Sequence, residues 1–196
     1  MTSILKIIYP KTSFPQVPYS IKLGISQKHV LELIDYTNTD PFFKNNTSDL
    51  LRVDGSLGRF SNLFEYQKWL DRGKYIYTLI SPNNDLMGII WFSQEKPNFD
   101  SYMLTEQFDH DHYSFTFAIR LYSAARGVGL AKQFASIATT HFTQSDSCRM
   151  EPRNGIWLDV KSTNLAAISI YKGLGFKQVG TNLIEKSLLM LQYQSL

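Results

Sequence analysis

The sequence lacks the features that mark secreted, membrane-spanning or nucleic-acid-binding proteins. Its 196 residues contain one cysteine, Cys148, which excludes an intramolecular disulfide framework and suits a reducing, cytoplasmic location. No run of about 18 apolar residues occurs, and residues 1–10 do not resemble a signal peptide, so we expect no membrane partner. The net charge is +3 and no basic run is present, which argues against a nucleic-acid partner.

Aromatic residues are frequent, at 14% of the chain, and they favour a fold that contains a sheet. The length fits a single domain over residues 1–196. The hydrophobic pattern predicts strands at residues 3–9, 74–80, 86–93, 113–121, 156–161, 176–181 and 184–193. Helical spacing predicts helices at 27–37, 62–72, 127–143 and 164–173, with irregular connections at 38–58, 95–112 and 144–154. This order predicts a mixed α/β (α+β) fold, with a partly antiparallel sheet and helices on both faces.

The segment 119–131, IRLYSAARGVGLA, joins a predicted strand to a predicted helix. Arg126, Gly127 and Gly129 lie at the predicted first turn of that helix, where backbone amides have no partner within the helix. Such amides form an anion site suited to phosphate, although a glycine-rich helix start is also a common tight turn. Lys132 stands where a dinucleotide fingerprint needs glycine or alanine, and no Gly-Lys-Ser/Thr triplet of a P-loop occurs in the chain.

A second segment, WLDVKSTNLAAISIYKGLGF at 157–176, completes a recognisable pattern. Arg126-x-x-Gly129-x-Ala131 after a strand, followed by Asn164, Tyr171 and Leu174-Gly175-Phe176, resembles the GNAT superfamily of acetyl-CoA-dependent N-acetyltransferases. The resemblance covers residues 113–178. It implies a GNAT-like domain with a mostly antiparallel sheet, in which the parallel fourth and fifth strands of the family fold, here 113–121 and 156–161, splay apart.

The resemblance also implies how acetyl-CoA is bound as co-substrate. The pantetheine arm would pair with the backbone of Ile119 and Leu121 in the gap between the splayed strands, and Asn164 would contact the cofactor near that arm. The pyrophosphate would bind the backbone amides of Arg126, Gly127, Val128, Gly129, Leu130 and Ala131. One departure is Ser123, which stands where a proline is common and should alter the rigidity of the loop.

Acetyl transfer to an amine requires a base, donors for the oxyanion and a proton for the leaving thiolate. Tyr171 matches the family tyrosine that would protonate the thiolate, although a tyrosine here could also simply pack the helix on the sheet. Asp159 stands where ribosomal-protein alanine N-acetyltransferases, which this segment resembles, carry a glutamate base. Asp159 could instead be an exposed carboxylate or pair with Lys161, and Glu65 or a loop carboxylate is the alternative base.

The 95–112 connection is acidic and contains a histidine-rich motif. It holds Glu95, Asp100, Glu106, Asp109 and Asp111 against the single cation Lys96. Such a rim would attract a cationic amine, or it is only a solvated acidic loop. Asp109-His110-Asp111-His112 is rejected as a metal site because no other ligand cluster completes it. We expect no nucleophilic role for Cys148 in its polar loop, and His29 and His141 are predicted to lie on helix surfaces.

The sequence therefore predicts an enzyme that transfers acetyl from acetyl-CoA directly to a primary amine, without a covalent enzyme intermediate. The acceptor is either a protein N-terminus or lysine, or a small amine. The alternative is a CoA-binding regulatory module with the GNAT fold and little turnover, for which the aspartate at position 159 is the only sequence hint. Edge strands and aromatic surface would permit a homodimer, but nothing in the sequence specifies one.

Overall fold

A computed structural model describes residues 3–11, 17–44 and 57–192 of the protein. Within these ranges it contains nine strands and six helices. The strands are β1 (Ser3–Ile8), β2 (Tyr19–Leu23), β3 (Lys74–Ile80), β4 (Leu86–Gln94), β5 (Met103–Leu104), β6 (Tyr113–Leu121), β7 (Gly155–Lys161), β8 (Phe176–Asn182) and β9 (Ser187–Gln192). The helices are α1 (Gln27–Thr39), α2 (Pro41–Lys44), α3 (Leu63–Leu70), α4 (Leu130–Gln144), α5 (Asp146–Arg149) and α6 (Leu165–Gly173).

The strands form one sheet in the order β1-β2-β3-β4-β6-β7-β9-β8-β5. The β1–β2, β2–β3, β7–β9, β8–β9 and β5–β8 pairs are antiparallel, whereas β6 and β7 are parallel. The predicted mixed, mostly antiparallel sheet flanked by helices is therefore confirmed, including its parallel pair at the two expected segments.

The parallel ladder between β6 and β7 covers only part of the two strands. The ladder joins Tyr113 to Gly155 and Thr116 to Trp157, and within the described residues it extends no further. Strand β6 nevertheless continues to Leu121 and β7 to Lys161. Backbone groups of β6 beyond Thr116 therefore have no partner in this ladder, and the splay that the resemblance implies stays a prediction.

The chain divides into two compact units. The first comprises residues 1–91 and 119–134, and the second comprises residues 92–118 and 135–196. The boundary passes through β4, β6 and α4, so each of these elements contributes to both units. The single domain expected from the length stays a prediction.

Aromatic side chains fill the core of each unit. In the first unit, Phe60 and Trp91 both meet the Trp69 ring edge-on, at centroid distances of 4.8 and 5.5 Å. In the second unit, Phe92 stacks on Phe142 with the centroids 4.0 Å apart. Contacts of this geometry add to the apolar burial that stabilises the fold.

Most predicted elements occur within a few residues of their expected bounds, and four short ones were missed. Strand β5 and helices α2 and α5 lie in connections predicted to be irregular, and strand β2 lies between residues 10 and 26, to which no element was assigned. Each has five residues or fewer, too short for a periodic hydrophobic pattern to develop. Strand β9 begins at Ser187 rather than at 184, because the Asn182 side chain accepts bonds from the amides of Ile184 and Glu185 and holds a turn there.

Two single-residue expectations were wrong. His29 is buried rather than on the surface, with Nδ1 2.9 Å from Ser26 Oγ and Nε2 3.1 Å from the carbonyl of Asn84. The turn between β3 and β4 covers it, which helical spacing within α1 does not reveal. Cys148 is fully buried in α5 rather than placed in a polar loop, and burial raises the pKa of its thiol to about 11. A thiol held protonated in this way is a poor nucleophile.

Candidate cofactor-binding loop and active site

The loop after β6 forms a tight, glycine-dependent turn before α4. A single 3-10 turn covers Ser123–Ala125, and the amide of Arg126 donates to the carbonyl of Ser123 at 3.2 Å. Gly127 and Gly129 both have φ of +78°, a conformation that favours glycine. Helix α4 therefore begins at Leu130, and the two glycines precede it instead of forming its first turn as expected.

Backbone amides in this loop are available to a ligand. Within the described residues, no backbone carbonyl accepts a bond from the amides of Gly127, Val128 or Gly129. The amides of Leu130 and Ala131 belong to the first turn of α4, where backbone amides have no partner within the helix. Because the Arg126 amide is bound to Ser123, the six predicted pyrophosphate donors reduce to these five. Such a group of amides at the positive end of a 15-residue helix fits a phosphate.

The Arg126 side chain is bound within the protein instead of pointing to solvent. Its Nη2 lies 2.8 Å from Asp40 Oδ2 and its Nη1 lies 3.3 Å from Asp40 Oδ1. Its Nε donates to the carbonyl of Leu121 at 2.8 Å. The guanidinium also lies over the rings of Phe42 and Phe43, at 4.7 and 5.0 Å from their centroids. The Asp40 carboxylate is only 6% exposed, so this pair neutralises the arginine and fixes the loop.

The end of β6 presents alternate backbone groups to opposite sides. The amide of Tyr122 donates to the carbonyl of Met87 in β4 at 3.0 Å. The backbone N–H and C=O groups of successive residues in a strand point to opposite sides. Those of Leu121 and Ile119 therefore point away from β4. The Leu121 carbonyl already accepts from Arg126, which leaves its amide and the backbone of Ile119 for a ligand. Their pairing with pantetheine stays a prediction.

Asn164 caps the helix that carries Tyr171. Its side-chain oxygen accepts a bond from the backbone amide of Ala167 at 3.2 Å. Its backbone N–H donates to the carbonyl of Lys161 at 2.9 Å. These bonds begin α6 directly after β7. The side-chain oxygen thus holds the helix start, and the side-chain NH2 group of Asn164 is the donor that could make the predicted cofactor contact.

Tyr171 is a buried tyrosine in an aromatic setting within the second unit. It is 6% exposed, and its ring lies against Phe117 and Phe176 at centroid distances of 5.8 and 6.0 Å. Within the described residues its hydroxyl makes no hydrogen bond. Burial raises the pKa of the phenol above its ordinary value near 10, because the charged form is poorly solvated there. The hydroxyl therefore stays protonated at neutral pH, as a proton donor must.

Asp159 is an exposed carboxylate on β7 that two hydroxyls hold in place. Its Oδ2 accepts bonds from Tyr102 Oη at 2.5 Å and from Ser187 Oγ at 2.6 Å. Burial and the bond to Asp159 both raise the pKa of the Tyr102 phenol, so it remains the donor. No ion pair with Lys161 forms among the described residues, and Oδ1 has no hydrogen-bond partner there.

The acidic 95–112 connection is folded against β7 in the second unit. Tyr102 bonds Asp159, and the Trp157 indole donates to the carbonyl of Glu95 at 2.6 Å. Asp111 lies 3.2 Å from Lys96 and 3.4 Å from Arg153, and the hydrogen bond to Lys96 lowers the pKa of its carboxyl. One of the five acidic residues is therefore neutralised locally.

The structure also bears on the alternative base, on metal-ligand clusters and on membrane-spanning helices. Glu65, the alternative base, lies in the first turn of α3 and pairs with Lys68 at 3.1 Å. In the part of the chain that the structure describes, no three or more His, Cys, Asp and Glu side chains are grouped to hold a metal ion. None of the helices in those same ranges has the length and apolar character needed to cross a bilayer.

Neither a protein-family model nor a curated protein sequence matches this chain. Solved structures do match it. The ribosomal-protein-S5-alanine acetyltransferase of Vibrio fischeri aligns with a TM-score of 0.60 at 11% identity, over 94% of this chain and 96% of that one. A Bordetella pertussis protein assigned to the GNAT acetyltransferase family aligns with a TM-score of 0.61 at 17% identity, over 97% and 99%. The chain has the GNAT acetyltransferase fold.

A third match includes bound ligands. Spermidine N-acetyltransferase from Vibrio cholerae, solved with CoA and spermine, aligns with a TM-score of 0.57 at 15% identity, over 88% of this chain and 92% of that one. These identities are too low to assign an activity, but the three alignments each cover between 88% and 97% of this chain. The expected fold is thereby confirmed on grounds independent of the two sequence motifs.

Within this GNAT fold, the sequence motifs located the loop and β7 but missed their partners. Four residues outside the motifs hydrogen-bond to predicted site residues: Asp40 to Arg126, Tyr102 and Ser187 to Asp159, and Lys11 to Val128. Asp40 lies 86 residues from Arg126 in sequence, and Tyr102 lies 57 residues from Asp159. No short motif links residues so far apart, so the sequence carried no signal for them.

Proposed function

We propose that the protein is an N-acetyltransferase that moves an acetyl group from acetyl-CoA directly to a primary amine. The observation that carries this proposal is the loop before α4: among the described residues no backbone carbonyl accepts from the amides of Gly127, Val128 or Gly129, and those of Leu130 and Ala131 have no partner within the helix. The GNAT fold supports it, because the V. cholerae relative of that fold was solved with CoA.

In this proposal the backbone holds the co-substrate. The amides from Gly127 to Ala131 bind the pyrophosphate of acetyl-CoA, and the backbone of Ile119 and Leu121 pairs with the pantetheine arm. An N–H of β6 donates to the thioester carbonyl and stabilises the negative charge that develops there. The side-chain NH2 group of Asn164 adds a contact near the pantetheine.

Side chains of the second unit move the protons. Asp159 accepts a proton from the amine, directly or through a water, because an ammonium has no lone pair to attack with. Tyr171 donates a proton to the leaving thiolate, and because burial raises its pKa the phenol still carries that proton at neutral pH. The amine attacks the thioester carbon while the carbon–sulfur bond breaks, so no group on the enzyme becomes acetylated.

The acceptor is proposed only as a class, a protein N-terminus or lysine, or a small amine. Among the matched structures, one is named for a ribosomal-protein alanine and another holds spermine, so the GNAT fold accommodates both kinds. The 95–112 connection as a whole, with five acidic residues and Lys96 as its single cation, favours an acceptor that arrives as a cation.

A second candidate function is a CoA-binding module with little turnover. One observation favours it: the hydroxyls of Tyr102 and Ser187 both donate to Asp159 Oδ2, so that oxygen is already engaged within the protein. The two functions make the same prediction for CoA binding and opposite predictions for turnover.

Thiol release from acetyl-CoA, measured with a panel of peptides and small amines, tests the proposal. Release that depends on one acceptor class supports the transferase and identifies its substrate type. Tight CoA binding with no release across the panel supports the module. Absence of CoA binding, measured by calorimetry, contradicts both.

A further inference from the structure

The cofactor loop carries a motif arginine whose charge is already used. Arg126 donates to both oxygens of Asp40 and to the Leu121 carbonyl, and its guanidinium is stacked on two phenylalanine rings. A pyrophosphate carries two negative charges at neutral pH, and a charge-assisted contact to it needs a cation that is not already paired. In this loop the charge of the motif arginine is already balanced by Asp40.

The residues that follow β1 bring a different cation to the same loop. The backbone amide of Lys11 donates to the carbonyl of Val128 at 3.1 Å. The side chain of Gln133, in the first turn of α4, donates to the carbonyl of Tyr9 at 3.1 Å. Two hydrogen bonds therefore attach residues 9–11 to the loop and the helix start.

The Lys11 side chain runs across Gly129. A Cβ built on Gly129 would lie 3.1 Å from Lys11 Cβ, 3.3 Å from Cγ and 3.4 Å from Cδ. Three successive carbons of the lysine thus pass over the glycine, and the ammonium group lies two covalent bonds beyond the last of them. The residue is exposed, and none of the ion pairs among the described residues includes it. Within those residues its charge has no partner, and it lies beside loop amides to which no described backbone carbonyl is bound.

We propose that Lys11 binds a phosphate group of CoA at this loop, supplying the cation that Arg126 does not. The inference rests on the proposed function, because it takes CoA as the ligand. It also gives Gly129 a second role: besides its positive φ, the missing Cβ leaves room for the lysine stem. The sequence could not suggest this contact, since Lys11 lies far outside the segment that resembles the GNAT family.

Calorimetric titration of CoA into the wild type, Lys11→Met, Lys11→Arg and Lys6→Met tests the inference. Methionine keeps the apolar stem across Gly129 and removes the charge, so the loop is left packed. We expect Lys11→Met to bind CoA about five- to twenty-fold more weakly, the range for one partly exposed charge-assisted contact. Lys11→Arg should bind nearly as well as the wild type. Lys6→Met, an exposed lysine of β1, is the matched control and should change nothing.

Two further titrations show which phosphate Lys11 contacts and whether the contact is electrostatic. With dephospho-CoA, a retained difference between wild type and Lys11→Met assigns the contact to the pyrophosphate, and a lost one assigns it to the 3′-phosphate. The difference should shrink as sodium chloride is raised, because salt screens an exposed charge pair.

Equal or tighter CoA binding by Lys11→Met overturns the inference, and tighter binding would mean that the lysine covers the loop. In either case normal wild-type binding leaves the proposed function intact. Failure of the wild type itself to bind CoA would overturn the proposed function and this inference together.

Discussion

The loop before α4 and the strand β7 hold their candidate functional groups in opposite ways. In the loop, the Arg126 side chain is bound within the protein and the backbone amides are left open. In β7, the backbone is used in the sheet ladders with β6 and β9, and the Asp159 side chain is presented. A backbone site depends on φ and on what fixes the loop, whereas a side-chain site depends on the identity of single residues.

The largest effect should come from Asp159→Asn. Asparagine can still accept both hydroxyl bonds through its oxygen, but it cannot accept the proton of an amine at neutral pH. We expect kcat to fall about 100- to 1000-fold, within the usual range for loss of a general base. Steady-state thiol release measures this, with Asp146→Asn, an exposed aspartate of α5, as the control. Unchanged kcat would remove Asp159 from the mechanism and direct attention to Glu65.

Tyr171→Phe should reduce kcat about 100-fold and leave CoA affinity nearly unchanged, because the hydroxyl makes no hydrogen bond among the described residues. Since burial raises the pKa of this phenol, the wild-type rate should show no loss of the acid up to about pH 10, the ordinary phenol value. Thiol release from pH 7 to 10 checks both points. Tyr19→Phe is the matched control, and equal rates for the two variants would show that Tyr171 only packs the helix.

Asp40→Ala tests what fixes the backbone site. It leaves the Arg126 guanidinium without its carboxylate, and breaking a buried pair costs about 3–5 kcal/mol. Because Arg126 is 33% exposed, we expect a smaller loss of about 2–3 kcal/mol in the free energy of unfolding. Urea denaturation measures this loss. Lys68→Ala breaks the more exposed Glu65–Lys68 pair and should cost less than about 0.5 kcal/mol. Similar losses for the two variants would mean that the Asp40 pair contributes little.

The smallest expected effect is a difference in CoA affinity between alanine variants of the two loop glycines. Gly127 and Gly129 share a φ of +78°, so alanine at either should cost about 1–2 kcal/mol of backbone strain. A Cβ at Gly127 meets nothing within 4 Å, whereas one at Gly129 meets the Lys11 stem. Gly129→Ala should therefore weaken CoA binding more than Gly127→Ala at similar thermal stability. The reverse order in calorimetry would contradict the arrangement of Lys11.

Periodic elements were the part of the fold that could be predicted. The alternation in residues 113–121 and the capping Asn164 are local features, and both the strand and the helix occur as expected. The start of α4 was misplaced by three residues, because only the backbone geometry shows that both glycines adopt positive φ before the helix. Helical spacing likewise marked α1 but not the burial of His29, since a distant turn covers that residue.

The sequence by itself determined the order of the elements, the GNAT-like segments and the presence of an arginine, two glycines, an aspartate and a tyrosine at the candidate site. These are properties of neighbours along the chain, where residue type and spacing act directly. Only the tertiary structure decided that Arg126 is bound by Asp40, that two hydroxyls hold Asp159, and that Lys11 crosses Gly129. Each of these contacts joins residues from separate elements, and the partner of a charge depends on how those elements pack rather than on sequence spacing.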